Sequence, residues 1–275
     1  MRAMLGSTML LLMREPPRVP VYALDGSVVE EVQLPRVFGL PVRKDLIRRA
    51  FHSEFTARLQ PKGRDPMAGK RTSARSFGVG LGIARVPRIP GTGRAAFIPS
   101  AVGGRLAFPP TPMKKLHEEI NRKEKKLATA SALAATALPE MVKARGHVFS
   151  AKAVPVVVVD EVEERIRSTR EARLLLEKLG LWEDIVRAQE KTRQRAGKGK
   201  RRGRRYVTPK SILFVLSSHT SPFARAVENL PGVDIAEPWY VNVLQLAPGG
   251  HPGRLMLVTR SALEELGKRF EVILP

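Results

Sequence analysis

The 275-residue chain contains no cysteine, which excludes disulfides, a thiol nucleophile and thiolate-bound zinc or iron–sulfur centres. Histidine is scarce: His52, His117, His147, His219 and His251 are scattered without the spacing of metal ligands, so neither a metal nor another cofactor is expected. No apolar run reaches the ~18 residues that a membrane-spanning helix needs. The opening MRAMLGSTMLLLMREPP is broken by Gly6, Ser7 and Thr8 and ends at Arg14 without a small-residue cleavage site, so it reads as neither leader nor anchor. Residues 1–18 are expected to form a flexible N-terminal segment, in which Met13 is a second candidate start. The expectation is a soluble, cytoplasmic protein with no membrane partner.

Acidic residues are almost missing from two stretches. Residues 58–115 hold twelve Lys or Arg against the single acid Asp65, and residues 191–210 hold ten against none. The remainder is nearly neutral, with 26 basic and 25 acidic side chains. The net charge of +22 therefore sits on two cationic appendages of a balanced body, and such a field calls for a polyanionic partner, nucleic acid first. The longer stretch is rich in Gly and Pro and follows neither a 3.6 nor a 2 period. It predicts an extended, irregular loop over 60–111 that orders only on a partner, because it has too little apolar surface to offset its ordering entropy. A second basic loop is expected over 191–209.

The body, 43% hydrophobic with the rest of the chain, reads as alternating strands and helices. Residues 19–35 predict a hairpin turning at Asp25-Gly26, and 41–59 a helix with Leu46, Ile47, Ala50 and Phe51 on one stripe. Thr111 and Pro112 offer a cap and first-turn proline for a helix running to about Leu138, whose second half, LATASALAATAL, suits close packing on a sheet. The β-branched run VPVVVVDE (154–161) predicts a central strand buried on both faces. One or two helices capped by Ser168 and broken near Gly180 follow, then strands at 210–217, 233–236 and 254–259, and helices at 222–229 and 261–270. The pattern predicts one Rossmann-like α/β domain over 19–270, its mainly parallel sheet flanked by helices, with a short tail at 271–275.

Candidate chemistry was weighed against its context. The glycines of RTSARSFGVGLGIARVPRIPGTGR (71–94) suggest a phosphate cradle, but no strand precedes them, and Pro87 and Pro90 forbid the helix that a dinucleotide site requires. DPMAGKRTS fails as a P-loop, with Arg71 where Ser or Thr should follow Gly69-Lys70. Asp160, Ser217, Ser218 and His219 follow predicted strands, where α/β sheets bind ligands, yet no GxSxG elbow accompanies them. An RNA-modifying or nucleotide-dependent enzyme with a basic guiding loop remains the alternative. A DNA-compacting protein is favoured by charge alone.

Nucleic-acid binding needs no such assembly. Lys62, Arg64, Lys70, Arg71, Arg75, Arg85, Arg88, Arg94, Arg105, Lys114 and Lys115 recur through the long loop as candidate phosphate contacts. Gly78, Gly80, Gly82, Gly91, Gly93, Gly103 and Gly104 are candidates for close backbone approach to RNA. Phe77, Phe97 and Phe108 either stack on unpaired bases or make local contacts within the loop. Arg193, Arg195, Lys198, Lys200, Arg201, Arg202, Arg204 and Arg205 form a second, Gly-spaced basic clamp.

Several motifs carry a family resemblance: GIARVPR (82–88), SAVGGRLAFPP (100–110), EKKLATASALAAT (124–136), RGHVFS (145–150) and RAGKGKRRGRRYVTPKSILFV (195–215). Together, in this order between about Val19 and Phe270, they resemble large-subunit ribosomal protein L-four of the archaeal and eukaryotic type. The resemblance implies a structural RNA-binding protein whose α/β body lies on the outside of the large subunit. It also implies a loop threaded into large-subunit rRNA, with a tip between Arg71 and Gly93 that lines the nascent-peptide exit tunnel. The implied partners are that rRNA, neighbouring large-subunit proteins and the nascent polypeptide. One departure is Phe108, where the family tends to carry His; the change removes a polar contact and keeps a stacking surface.

Overall fold

The structure, a computed structural model, describes residues 13–271. The expectations for residues 1–12 and 272–275 lie outside these. The chain divides into two units, one comprising the residues up to Phe55 together with Glu119 onward, the other Thr56–Glu118.

In the first unit the elements run β1 (Arg18–Tyr22), β2 (Val28–Gln33), α1 (Lys44–Thr56), α2 (Arg122–Thr136), α3 (Pro139–Arg145), β3 (Val156–Val158), α4 (Glu161–Arg165), α5 (Thr169–Lys178) and α6 (Trp182–Glu190). There follow β4 (Arg193–Gln194), β5 (Tyr206–Val207), β6 (Leu213–Val215), α7 (Pro222–Glu228), β7 (Asp234–Ala236), α8 (Val243–Leu246), β8 (Met256–Thr259) and α9 (Arg260–Glu271). Six strands form one sheet in the order β2-β1-β3-β8-β6-β7. Only the β1–β2 pair is antiparallel; every other neighbour is parallel. The fold is therefore α/β with a mainly parallel sheet flanked by helices, as the alternation of strand and helix signals predicts.

Local chemistry explains the elements. Gly26 adopts φ +79° in the β1–β2 turn, a conformation that costs other residues more. Ser168 accepts a hydrogen bond from the Glu171 N–H while Glu171 reaches back to the Ser168 N–H, a capping box that starts α5. Gly180, at φ +69°, separates α5 from α6. Along the central strands, alternate side chains feed two cores. Val157, Leu213, Val215, Met256 and Val258 join one with α1, α2 and α9, and Val156, Val158, Phe214 and Leu257 join the other with α4, α5, α6 and α7. A strand buried on both faces needs apolar residues at every position, which is why the valine run marks the middle of the sheet.

Two elements differ from expectation. The helix placed at Thr111–Leu138 begins only at Arg122, after Asn121. Residues 111–121 contain no helix, although Met113, Leu116 and Ile120 fall at helical spacing. The helix forms where Ala128–Thr136 can be buried. The basic stretch after α6 is not wholly irregular: β4 and β5 pair antiparallel, Arg193 opposite Val207 and Gln194 opposite Tyr206. At the N-terminal side, Met13 packs against the core and the Arg14 N–H donates to the Gly39 carbonyl at 2.8 Å.

Candidate nucleic-acid interface

No residue between Thr56 and Glu118 is buried, and no helix begins after α1 or strand forms before Glu118. Order in this unit comes from short-range hydrogen bonds. Arg75 and Arg88 pair across an isolated bridge through two backbone bonds of 3.0 and 2.9 Å. This bridge closes the base of the excursion 76–87, which holds Gly78, Gly80 and Gly82. Ile89 and Arg94 close a tighter turn over Gly91 and Gly93. All five glycines have positive φ, and a Cβ on any of them would meet nothing within 4 Å. Gly103 is similarly open at φ +76°. Their role is conformational, not steric, within this chain.

Gly104 and Gly69 differ. A Cβ at Gly104 would stand 1.9 Å from the Ile98 carbonyl oxygen, and one at Gly69 would stand 2.6 Å from Gly104 and Arg105 backbone atoms. These are close approaches within the unit. No sequence signal separates them from the open glycines, and Gly69 lies outside the candidate glycine set.

Lys62, Arg64, Lys70, Arg71, Arg75, Arg85, Arg94, Lys114 and Lys115 are exposed, and Arg88 and Arg105 half-buried. Asp65 is bound by Arg71, whose Nη2 donates at 3.1 Å, and accepts from the Met67 N–H at 3.0 Å. These bonds hold its carboxyl below the usual range and raise the Arg71 guanidinium, so Asp65 balances Arg71. Arg75, Arg85 and Arg94 have no carboxylate partner among the described residues. Arg88 is committed to its own turn, donating to the Gly93 carbonyl at 3.0 Å. Phe97 sits at φ +70° with the Arg105 guanidinium 5.5 Å from its ring centre, a local contact. Phe77 is exposed and Phe108 is 98% exposed, which leaves their faces open to stacking. Between the glycines, Val79, Leu81 and Ile83 are also exposed, Val79 at 70%. The Gly-aliphatic alternation of GVGLGI was their signal, and charge-centred reading passed over it.

The second basic stretch is a small hairpin closed by a 3₁₀ turn over Lys198–Arg202. Gly197 and Gly203 flank the turn at φ +75°. Arg195 ties its strands together, its N–H donating to the Arg205 carbonyl at 2.7 Å and its Nε to the Arg204 carbonyl at 3.0 Å. Arg193, Arg195, Lys198, Lys200, Arg201, Arg202, Arg204 and Arg205 are all exposed. None has a carboxylate partner among the described residues, so the hairpin presents concentrated positive charge suited to phosphates.

The candidate catalytic groups of the body are engaged in structure. Asp160 accepts from the N–H and Oγ of Ser261 at 2.9 and 2.8 Å, capping α9. Ser217 donates through Oγ and N–H to buried Glu163, which also receives Thr259 Oγ1 at 2.7 Å. The His219 N–H goes to Glu237 at 3.0 Å. The candidate serine, histidine and aspartate thus serve separate local bonds. His147, in the RGHVFS motif, meets Asp184 through Nδ1 at 3.0 Å, and Asp184 also accepts from Arg187 Nε at 2.8 Å and the Val148 N–H at 3.1 Å. Burial pushes the His147 imidazole below its ordinary value, against the pull of Asp184. Burial alone would raise the Asp184 carboxyl, but bonds from His147 and Arg187 hold it low. Arg254 is fully buried, with Nη1 on Asp234 at 2.6 Å and on the Gln245 carbonyl at 2.8 Å, and Nε on the Ser211 carbonyl at 2.9 Å.

The family described as the ribosomal protein L4/L1 family matches residues 32–269. The chain is 58% identical over 267 residues to the large ribosomal subunit protein uL4 of Aeropyrum pernix, covering 97% of this chain and 98% of the relative. It is 57% identical over 251 residues to that of Sulfurisphaera tokodaii, covering 91% and 94%. The likeness to the Sulfolobus acidocaldarius protein is 56% over 254 residues, covering 92% and 95%. On these matches, which span both the sheet and the unburied cationic segment, the chain belongs to the ribosomal protein L4/L1 family.

Proposed function

We propose that this protein is a structural constituent of the large ribosomal subunit, not an enzyme, and that it binds large-subunit rRNA in the cytoplasm. The observation that carries the reading is the unit Thr56–Glu118, which has no buried residue yet carries unpaired arginines and exposed aromatics. A folded domain cannot enter crevices between RNA helices; a segment of this kind can. The candidate contacts from Lys62 to Lys115 and the hairpin from Arg193 to Arg205 meet phosphates, and Phe77 and Phe108 meet splayed bases. In this reading the segment threads into the rRNA, supports subunit assembly and borders the exit tunnel with its 71–93 region. There the open glycines leave room for a passing nascent polypeptide, and the body meets neighbouring large-subunit proteins.

Sucrose-gradient sedimentation tests the assignment. The protein is expected to travel with the large subunit through a high-salt wash; a free, soluble pool with no subunit-bound fraction would refute it. Purified protein is expected to lose rRNA affinity by about 0.7 to 0.9 log units per log unit of salt for each phosphate neutralised. Turnover of a substrate by RNA-free protein would restore the enzyme alternative.

A further inference from the structure

An open cavity of about 630 Å³ lies in the α/β body, where α1 supplies Lys44 and Arg48, α3 supplies Met141 and Arg145, and the loop before β8 supplies His251 and Pro252. Lys44 and Arg48 are four residues apart and share one helix face. The loop is built to lie close. A Cβ at Gly253, where φ is +96°, would stand 2.7 Å from the Met141 carbonyl oxygen, and one at Gly250, where φ is +78°, would stand 3.7 Å from the Phe51 ring. Arg145 is held by donating to the carbonyls of His251 and Pro248, the latter at 3.0 Å.

That arrangement fixes the guanidinium without balancing its charge. Burial first, then Arg254 and Arg187, push the Arg145 pKa down to about 10. The cavity's one acid, Asp45, is already taken by Arg43, and neither Lys44, Arg48 nor His251 has an ion pair among the described residues. Three cations thus converge on a space whose other walls include Met141 and Pro252.

We propose that this cavity seats one splayed-out nucleotide of the rRNA, its phosphate on Lys44, Arg48 and Arg145 and its base against Met141 and Pro252. The inference rests on the RNA-binding reading above. An acidic side chain of a protein would answer the charge but would leave most of this volume unfilled, whereas a phosphate with its sugar and base answers both. Two of the three cations are forked guanidiniums, which suit phosphate oxygens. The site would give the body its own RNA contact, separate from the two basic segments.

The test uses the full-length protein and purified large-subunit rRNA. Lys44→Ala with Arg48→Ala, both exposed, is expected to leave the circular dichroism spectrum unchanged and to lower the salt slope of binding by about 0.7 to 0.9 for each phosphate contact removed. Lys44→Arg with Arg48→Lys is expected to restore the slope. A photo-crosslinker replacing Ala144, on the cavity wall, is expected to mark a single rRNA nucleotide in assembled subunits. Wild-type binding with an unchanged slope in the double variant would overturn the cavity assignment while leaving the RNA reading intact. Absence of rRNA binding by the wild type would overturn both, and a crosslink to protein instead of RNA would make the occupant an acidic partner.

Discussion

The sheet and the segment Thr56–Glu118 solve opposite problems within one chain. In the sheet, Val156–Val158 and Leu213–Val215 are buried throughout, and even Arg254 is 0% exposed, with its donors matched to carbonyls and Asp234. In the segment nothing is buried, and Arg75, Arg85 and Arg94 face solvent without a carboxylate partner among the described residues. The core of the body satisfies its buried charges internally, while the segment leaves several of its arginines uncompensated. An arginine's role is therefore set by what surrounds it: a closed cage makes Arg254 structural, and an open turn leaves Arg85 free to bind.

The largest effect that would sharpen this contrast comes from Arg254→Ala. Removing one partner of a buried ion pair is expected to cost about 3 to 5 kcal/mol, read by chemical denaturation; a loss below about 1 kcal/mol would break the cage argument. Next comes Gly232→Ala, at φ +74° with its Cβ 2.1 Å from the Pro209 carbonyl oxygen, expected to cost about 1 to 3 kcal/mol. The same change at Gly80, at φ +88° but in open space, should leave the body's unfolding midpoint in place.

A smaller effect belongs to pH. Burial lowers the His147 pKa in the folded state, so the unfolded chain binds its proton first and stability falls as pH drops below about 6.5. Asp184, held low when folded, adds a second loss below about 4. Denaturation midpoints at pH 7, 5.5 and 4 should decline for the wild type and decline less between 7 and 5.5 for His147→Asn. A flat wild-type profile would contradict the buried His147–Asp184 pairing.

Deleting residues 71–94 should leave body stability within about 0.5 kcal/mol while impairing subunit assembly. Unfolding of the body on deletion would erase the distinction between the two regions.

Much of this was written locally. Asp25-Gly26, Ser168 with Glu171, Gly180 and the run of β-branched residues each specify their element through backbone preference or a hydrogen bond a few residues long. The charge-rich, unpatterned stretch likewise announced that it had no core to join. What stayed hidden involved distance along the chain or competition between surfaces. His147 and Asp184 are 37 residues apart, and neither residue alone predicts the other. Thr111-Pro112 carries a helix-start signal, yet the helix begins at Arg122 and is buried only from Ala128 onward. Phe97 and Phe77 were equivalent as letters, yet Arg105 covers one and not the other.

The sequence by itself determined the alternation of strands and helices, the two concentrations of positive charge and the family resemblance, because these depend on composition and near-neighbour order. Only the tertiary structure decided which cations are neutralised, which glycines are crowded and which side chains gather around the cavity at Arg48 and Arg145. Those outcomes depend on which distant residues the sheet brings within a few ångströms, and hydrogen bonding, desolvation and steric exclusion all act at that range.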